Sequence, residues 1–264
     1  MKIGFIGCGN MATAMLKGIL KSGEVEASDM IASAKSDKTR EKIEKELGIR
    51  KADTNAQVVD FADVVFLAVK PQFLEGVLDE IRDSVKAGQI FISIAPGKTL
   101  QWLGERLGEN TKVIRTMPNT PAMVGEGMTA LCVNELVTEE EIALAVKLCD
   151  TFGKTEVIPE HLMDAVVGVS GSSPAYVFMF LEAMADAAVA DGMPRAQAYK
   201  FAAQSVLGSA KLMLETGKHP GELKDMVCSP AGTTIQAVRV LEEKGLRSAV
   251  IEAQTACVKK AKGM

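Results

Sequence analysis

The glycines nearest the N-terminus have the spacing of a dinucleotide-binding turn. Gly7, Gly9 and Ala12 form a GxGxxA pattern between a β-branched, aromatic run and a segment with apolar residues four apart. In such a turn the first glycine allows the bend, the second lets a pyrophosphate approach the backbone, and the third small residue permits close packing. The pyrophosphate would lie on amides at the helix N-terminus. The alternative is a strand-to-helix turn that only packs, because the pattern alone is a weak signal.

A second loop has the composition to bind a small anion. It covers residues 227–235, with the sequence VCSPAGTTI, and precedes a predicted helix. The amides of Gly232, Thr233 and Thr234 would be N-terminal donors without helical acceptors, with two hydroxyls beside them. Such a loop could hold a carboxylate. An ordinary helix cap by Ser229 or Thr233 would explain the same residues equally well.

Hydroxyls and cations follow the second predicted strand, where an NAD-preferring fold usually has an acidic residue for the ribose 2′-hydroxyl. They are Ser33, Lys35, Ser36, Lys38 and Arg40. These groups fit a 2′-phosphate, so the sequence favours NADPH, with NADH possible. The alternative is a solvated basic helix start.

Neither histidine is a promising proton donor for catalysis. His161 lies at a predicted helix start beside Glu160, and His219 precedes Pro220. A carbonyl reductase usually needs a strong acid, whereas a protonated cyclic imine already carries its proton. An NADPH site together with an anion loop therefore suggests reduction of a small carboxylate-bearing substrate such as an imine.

The elements that must position these residues alternate between strand and helix from the N-terminus to about residue 158. This order predicts an α/β domain, a doubly wound parallel sheet at residues 1–159, with ligands at the carboxyl ends of its strands. Three loops would then share one edge, at residues 7–12, 68–72 and 93–97. The proline-rich loop at 118–121 is either a wall for the nicotinamide or a structural turn.

From residue 160 to residue 264 strand signals disappear, and an all-helical domain is predicted. Its helical patterns, rich in alanine, methionine and leucine, cover residues 175–191, 194–215, 233–244 and 246–262. Small residues let helices approach closely. The segment is too apolar to be stable alone, so we expect it to pack against a second copy; burial against its own first domain is the alternative.

Composition narrows the classes of function. The 264 residues carry a net charge of −4 without a basic cluster, which argues against nucleic acid as a partner. No apolar run approaches about 18 residues, and the N-terminus is typical of a strand and not of a signal peptide, so we expect a cytoplasmic protein without a membrane partner. The five cysteines lack CxxC spacing, so we expect reduced thiols and no metal site.

Five stretches resemble the Δ1-pyrroline-5-carboxylate reductases, and together they extend over essentially the whole chain. They are residues 6–11 (IGCGNM), 68–72 (AVKPQ), 115–121 (RTMPNTP), 171–176 (GSSPAY) and 229–234 (SPAGTT). Two residues depart from the family pattern, Ala231 where many members have glycine and Pro96 where alanine is usual.

The resemblance implies NAD(P)H-dependent reduction of 1-pyrroline-5-carboxylate to L-proline, the last step of proline biosynthesis. It also implies a Rossmann-like domain followed by a helical domain that interlocks as a homodimer, often in larger rings of dimers. Implied cofactor contacts are Gly7, Cys8, Gly9, Asn10, Met11, Ser33, Asn55, Ala68, Val69, Lys70, Pro71 and Ala95. Lys35 joins them as a cation that fits a 2′-phosphate. Implied substrate contacts are Ser229, Gly232, Thr233 and Thr234, with Thr234 on the imine nitrogen as the catalytic residue.

Three alternatives remain at this point. A reductase of another small cyclic imine would share the first domain. A 3-hydroxyacid dehydrogenase would share the first domain but normally needs a catalytic lysine, and Lys200 and Lys211 lack a supporting motif. A non-enzymatic nucleotide-binding protein would have no reason to retain the 229–234 loop.

Overall fold

A computed structural model describes residues 1–263, without the side chain of Lys42. Its strands are β1 (Ile3–Ile6), β2 (Met30–Ser33), β3 (Arg50–Ala52), β4 (Val64–Leu67), β5 (Ile90–Ser93), β6 (Lys112–Met117), β7 (Gly127–Val133) and β8 (Gly153–Val157). The first helices are α1 (Asn10–Ser22), α2 (Asp37–Leu47), α3 (Asn55–Phe61), α4 (Pro71–Ile81), α5 (Leu100–Leu107), α6 (Glu139–Asp150) and α7 (Met163–Val166). The remaining helices are α8 (Ser173–Ala190), α9 (Arg195–Thr216), α10 (Pro220–Val227), α11 (Thr233–Glu243) and α12 (Leu246–Ala261).

The eight strands form one sheet in the order β3-β2-β1-β4-β5-β6-β7-β8. The predicted doubly wound sheet is confirmed for the six strands from β3 to β6, which are parallel. Strand β7 departs from this parallel arrangement, because it pairs antiparallel with β6. Only a short connection separates these two strands, and a parallel pair would need a longer crossover. Neither β3 nor β7 was predicted.

The strand order places a topological switch point at β1. Its neighbours are β2 on one side and β4 on the other. The strand order therefore runs in opposite directions along the sheet from β1. A crevice therefore opens at the carboxyl ends of β1 and β4, which is where open α/β sheets bind ligands. The central strands are buried along their whole length, and Phe5 of β1 stacks on Phe66 of β4 with ring centroids 4.5 Å apart.

The described chain divides into two compact units, one formed by residues 1–171 with 258–263 and the other by residues 172–257. The domain boundary predicted after residue 159 stays a prediction. In the second unit the four predicted helices are present as α8, α9, α11 and α12, and α10 is an additional helix.

The helical unit buries very few of its own side chains. Of residues 172–257, all of which the structure describes, only three are buried, and all three are alanines: Ala185, Ala198 and Ala202. Many large apolar side chains of this unit are exposed, among them Phe178, Met179, Phe201, Leu214, Val250 and Ile251.

One helical stretch, Glu160–Ala190, is long and apolar enough to cross a membrane by length and composition, and almost none of it is buried. The expectation that no apolar run approaches this length concerns uninterrupted runs, and Glu160, Asp164, Glu182 and Asp186 interrupt this stretch. Only its average hydropathy reaches that of a membrane-spanning helix.

Candidate active site

The turn after β1 is built around Gly7. Its φ of +95° lies in the left-handed region, which favours glycine. A Cβ at this position would lie 2.7 Å from the carbonyl oxygen of Ala68 and 2.9 Å from a methyl carbon of Val69. Both conformation and space therefore require glycine where β1 and β4 deliver their loops to one edge.

Helix α1 begins at this turn with its first amides available. Gly9 is the N-cap residue, and within residues 1–263 no side chain caps the helix. A Cβ at Gly9 would meet no described atom within 4 Å, so the backbone lies open to an approaching group. The amides of Asn10 and Met11 belong to the first turn, which lacks helical acceptors and attracts anions. Cys8 is buried beside them, with its sulfur 3.8 Å from the Thr13 hydroxyl.

A cavity of about 480 Å³ lies beside this turn, at the end of β2. It is lined by five residues predicted to bind the cofactor, namely Gly7, Ser33, Lys35, Asn55 and Val69. Arg40, one of the predicted cations, also lines it. Sequence reasoning missed other lining residues, among them Asp53, Thr54, Phe73 and Glu80.

Three side chains in this cavity form a hydrogen-bonded chain. The Ser33 hydroxyl donates to Asn55 Oδ1 at 2.7 Å, and Asn55 Nδ2 donates to Glu80 Oε2 at 2.7 Å. The Asn55 backbone N–H donates to the other carboxylate oxygen of Glu80 at 3.3 Å. Ser33 and Asn55 were predicted near the ribose, and the structure brings them into direct contact.

The remaining predicted cofactor residues lie at the same carboxyl edge of the sheet. The Ala68 N–H donates to the Ile6 carbonyl at 2.8 Å, which extends the pairing of β4 with β1. Lys70 is the N-cap of α4 and Pro71 its first residue. Ala95, after β5, is buried, and its N–H donates to the Ser93 hydroxyl at 3.3 Å.

The proline-rich loop at 118–121 is held by the buried side chain of Asn119. Asn119 Oδ1 accepts the Met128 N–H at 2.8 Å, and Nδ2 donates to the Ser170 carbonyl at 3.0 Å. These contacts support the structural-turn interpretation, since they tie the loop to β7 and to the segment before α8. A role as a nicotinamide wall stays a prediction.

In the helical unit, the predicted anion loop ends at α11 with Gly232 as the N-cap residue. Within residues 1–263 no side chain caps this helix, so the alternative of a cap by Ser229 or Thr233 is wrong. A Cβ at Gly232 would lie only 2.3 Å from the Ser229 hydroxyl oxygen, so a larger residue here would force that hydroxyl to move. Ala231 accommodates the turn with a φ of +59°.

One predicted donor of this loop is already used. The Gly232 N–H donates to the Ser229 carbonyl at 3.0 Å and closes a turn. The expectation of three available amides is therefore wrong, and the available donors are the amides and hydroxyls of Thr233 and Thr234. Thr233 is exposed and Thr234 half-buried.

The histidines and the buried thiols are poorly placed for catalysis. His219 is the N-cap of α10, where Nδ1 accepts the Gly221 N–H at 3.1 Å, and His161 is exposed. Burial raises the pKa of Cys149 to about 12, and burial together with Glu160 raises that of Cys132 to about 12. Both thiols therefore stay protonated and are not nucleophilic. Within the described chain no group of three potential metal ligands occurs.

Sequence comparisons assign both parts of the chain. Residues 160–264 match a family model described as pyrroline-5-carboxylate reductase dimerisation, and residues 2–97 match one described as NADP oxidoreductase, coenzyme F420-dependent. A pyrroline-5-carboxylate reductase of Escherichia coli (strain K12) is 56% identical over 259 residues, which cover 98% of this chain and 96% of the relative. The chain belongs to the pyrroline-5-carboxylate reductase family. It is therefore an oxidoreductase, and its helical segment is a dimerisation segment.

Solved reductases share the whole fold. The pyrroline-5-carboxylate reductase of Coxiella burnetii superimposes with a TM-score of 0.93 at 35% identity, covering 99% of this chain and 97% of that one. The pyrroline carboxylate reductase of Plasmodium falciparum, solved with NADP bound, gives a TM-score of 0.89 at 28% identity and covers 100% and 97%. The predicted succession of a Rossmann-like sheet and a helical domain is thus confirmed.

Proposed function

We propose that this enzyme reduces 1-pyrroline-5-carboxylate to L-proline with NADPH, as the last step of proline biosynthesis. The observation that carries the proposal is the 56% identity, over nearly the whole chain, to a relative named for this substrate. The structure supports the proposal through two helix N-termini without a side-chain cap, one after the Gly7 turn and one after the Ser229 loop.

The residues of the first unit fit a dinucleotide. The amides of Asn10 and Met11 would hold the pyrophosphate, and Ser33 with Asn55 would meet the adenosine ribose. The other residues assigned to this site are Gly7, Cys8, Gly9, Lys35, Ala68, Val69, Lys70, Pro71 and Ala95. When bound, the reduced nicotinamide supplies the hydride that reduces the imine carbon.

The residues of the second unit fit the substrate. The amides and hydroxyls of Thr233 and Thr234 would hold the carboxylate, while Gly232 and Ser229 shape the loop. The protonated imine carries its own N–H, and a threonine hydroxyl has lone pairs to accept it. Thr234 would therefore orient the nitrogen without acting as a strong acid. Positioning would supply most of the acceleration.

The exposed apolar faces of α8, α9 and α12 support a homodimer in which a second copy covers them. Assembly of dimers into larger rings is part of the same proposal. In this homodimer a second copy, and not a membrane, would cover the apolar Glu160–Ala190 stretch. The cytoplasmic location and the absence of nucleic-acid and membrane partners stay predictions.

The activity is tested by following NADPH absorbance after 1-pyrroline-5-carboxylate is added to the pure protein. We expect oxidation of NADPH and one proline formed per NADPH consumed. If the protein binds NADPH but does not oxidise it with this substrate, the proposal is contradicted and a nucleotide-binding protein without this activity is indicated.

The role of Thr234 is tested by Thr234→Ala, with Thr234→Ser as the control that retains a hydroxyl. Loss of one hydrogen bond to a charged group predicts a turnover lower by about tenfold to hundredfold, with the NADPH dissociation constant unchanged. The serine variant should retain most of the activity. Equal turnover in the parent and the alanine variant would remove Thr234 from the mechanism.

A further inference from the structure

The hydrogen-bonded chain of Ser33, Asn55 and Glu80 carries an inference about cofactor choice that rests on the proposed function. Glu80 lies on α4, away from the turn that predicts the dinucleotide site, yet its carboxylate lines the cavity at the end of β2. Ser33 is the last residue of β2, and its carbonyl accepts the Gly7 N–H at 3.1 Å. This is the strand end where a Rossmann-like fold meets the ribose 2′-position.

The direction of each hydrogen bond follows from chemistry. An ionised carboxylate only accepts, so Asn55 must turn its NH₂ group toward Glu80. Asn55 Oδ1 then faces Ser33 and can only accept, so the Ser33 hydroxyl must donate its proton to Asn55. The Ser33 oxygen is thereby left with lone pairs alone for any ligand in the cavity.

A hydroxyl oxygen in that state discriminates between the two cofactors. A ribose 2′-hydroxyl can donate a hydrogen bond to it, as in NADH. A 2′-phosphate needs donors, so it can bind Ser33 only if the bond from Ser33 to Asn55 is broken. The Glu80 carboxylate also adds a negative charge to the cavity that would receive the phosphate.

The cations of the cavity favour a 2′-phosphate and so offset the influence of Ser33 and Glu80 only in part. Lys35 Nζ lies 5.2 Å from the centroid of the Phe73 ring and is available to a phosphate. Arg40 is engaged by the carboxylate of Asp37. The cavity thus combines cations that favour a 2′-phosphate with Glu80, which favours a hydroxyl.

We propose that Glu80 is a positioning residue that sets cofactor preference, because it holds Asn55 in the orientation that makes Ser33 a hydrogen-bond acceptor. Glu80 keeps NADH usable and limits the preference for NADPH. A neutral side chain that can both donate and accept at this position lets Asn55 rotate, so that the Asn55 NH₂ group donates to Ser33 and the Ser33 proton becomes available to the phosphate.

The test is calorimetric binding of NADPH and of NADH to the full-length protein without substrate. Glu80→Gln should raise the ratio of the NADH to the NADPH dissociation constant by about tenfold, the effect of one hydrogen bond to a charged group. Asp79→Asn, which removes the same charge from the adjacent exposed position of α4, should change the ratio by less than about twofold because solvent screens it.

A double-mutant cycle distinguishes the hydrogen-bonded chain from simple charge removal. In a Ser33→Ala background, Glu80→Gln should change the ratio by well under the tenfold effect, because only the removal of the charge then acts. The proposal is overturned if Glu80→Gln weakens both cofactors equally, as loss of structure would do, or if its effect persists undiminished without the Ser33 hydroxyl. Failure of the parent protein to bind either cofactor would instead contradict the proposed function itself.

Discussion

The two compact units differ in where their apolar residues are buried. In the N-terminal unit, β1, β2, β4 and β5 are buried along their whole length, and helices pack on the sheet through side chains such as Met15 and Leu78. In the helical unit only three alanines are buried. One unit completes its core within the chain, whereas the other has a sequence that needs a surface from a second copy.

The two predicted anion loops have the same local backbone geometry at their helix N-caps, but different atoms surround the two N-cap glycines. Gly9 and Gly232 are both N-cap residues with nearly the same extended conformation, φ −77° and ψ −172° against φ −74° and ψ 171°. Gly9 leaves open space for a ligand, while Gly232 makes room for the Ser229 hydroxyl. Glycine therefore leaves the backbone open to a ligand in the first loop and allows close packing within the second loop.

The largest expected effect comes from a charge on the exposed apolar face of the helical unit. Phe178 is 65% exposed, so in an isolated chain Phe178→Glu would change stability little. If a second copy covers it, the buried charge should abolish the dimer and lower activity by at least about a hundredfold. Size-exclusion chromatography with activity assays measures both effects.

Leu136→Glu provides the control for that variant in the N-terminal unit. Leu136 is 37% exposed and is thus more buried within its own chain than Phe178. We expect the leucine variant to stay dimeric and active. Dissociation of the Leu136→Glu dimer but not of the Phe178→Glu dimer would show that the helical unit does not form the dimer contact.

A smaller but substantial effect is expected from Gly7→Ala. The positive φ and the close approach of the Ala68 carbonyl predict a loss of about 2 kcal/mol of stability, together with weaker NADPH binding. Denaturant unfolding and calorimetry measure the two effects. Gly104→Ala, in α5 with no described atom within 4 Å of its Cβ, should be neutral or slightly stabilising. Equal behaviour of the two variants would show that the turn tolerates a side chain.

The smallest effect concerns a surface ion pair of the N-terminal unit. Partial burial raises the pKa of Glu141, but hydrogen bonds from Lys112 and from the Thr138 N–H outweigh it and hold the pKa below its usual 4.5. The carboxylate therefore stabilises the fold above its unfolded-state pKa, and this contribution is lost as pH falls through the native pKa. Glu141→Gln should cost about 0.5–1 kcal/mol at neutral pH and nothing in acid, measured by urea unfolding. A cost independent of pH would contradict the assignment to charge.

Local signals explain what the sequence could predict. The Gly7 turn and the four long helices each depend on residues close together in the chain, and all are present. Strand β7 was missed because Gly127 and Thr129 interrupt its apolar residues, which therefore form no long apolar run.

The missed part of the cofactor cavity has a different cause. Glu80 contacts Asn55 across 25 residues of sequence, and from the pattern alone it belongs to the solvated face of an amphipathic helix. The use of the Gly232 amide within its own turn likewise depends on a backbone conformation that spacing does not reveal. Both features follow from tertiary geometry, which residue spacing leaves open.

Sedimentation velocity of the full-length protein, with NADPH oxidation measured in the separated species, tests whether the helical unit needs a second copy to function. We expect 1-pyrroline-5-carboxylate reduction only in the dimer or larger assemblies, while NADPH binding does not require them. Full reductase activity in a monomer would contradict this expectation, because the helical unit would then function with its apolar faces uncovered.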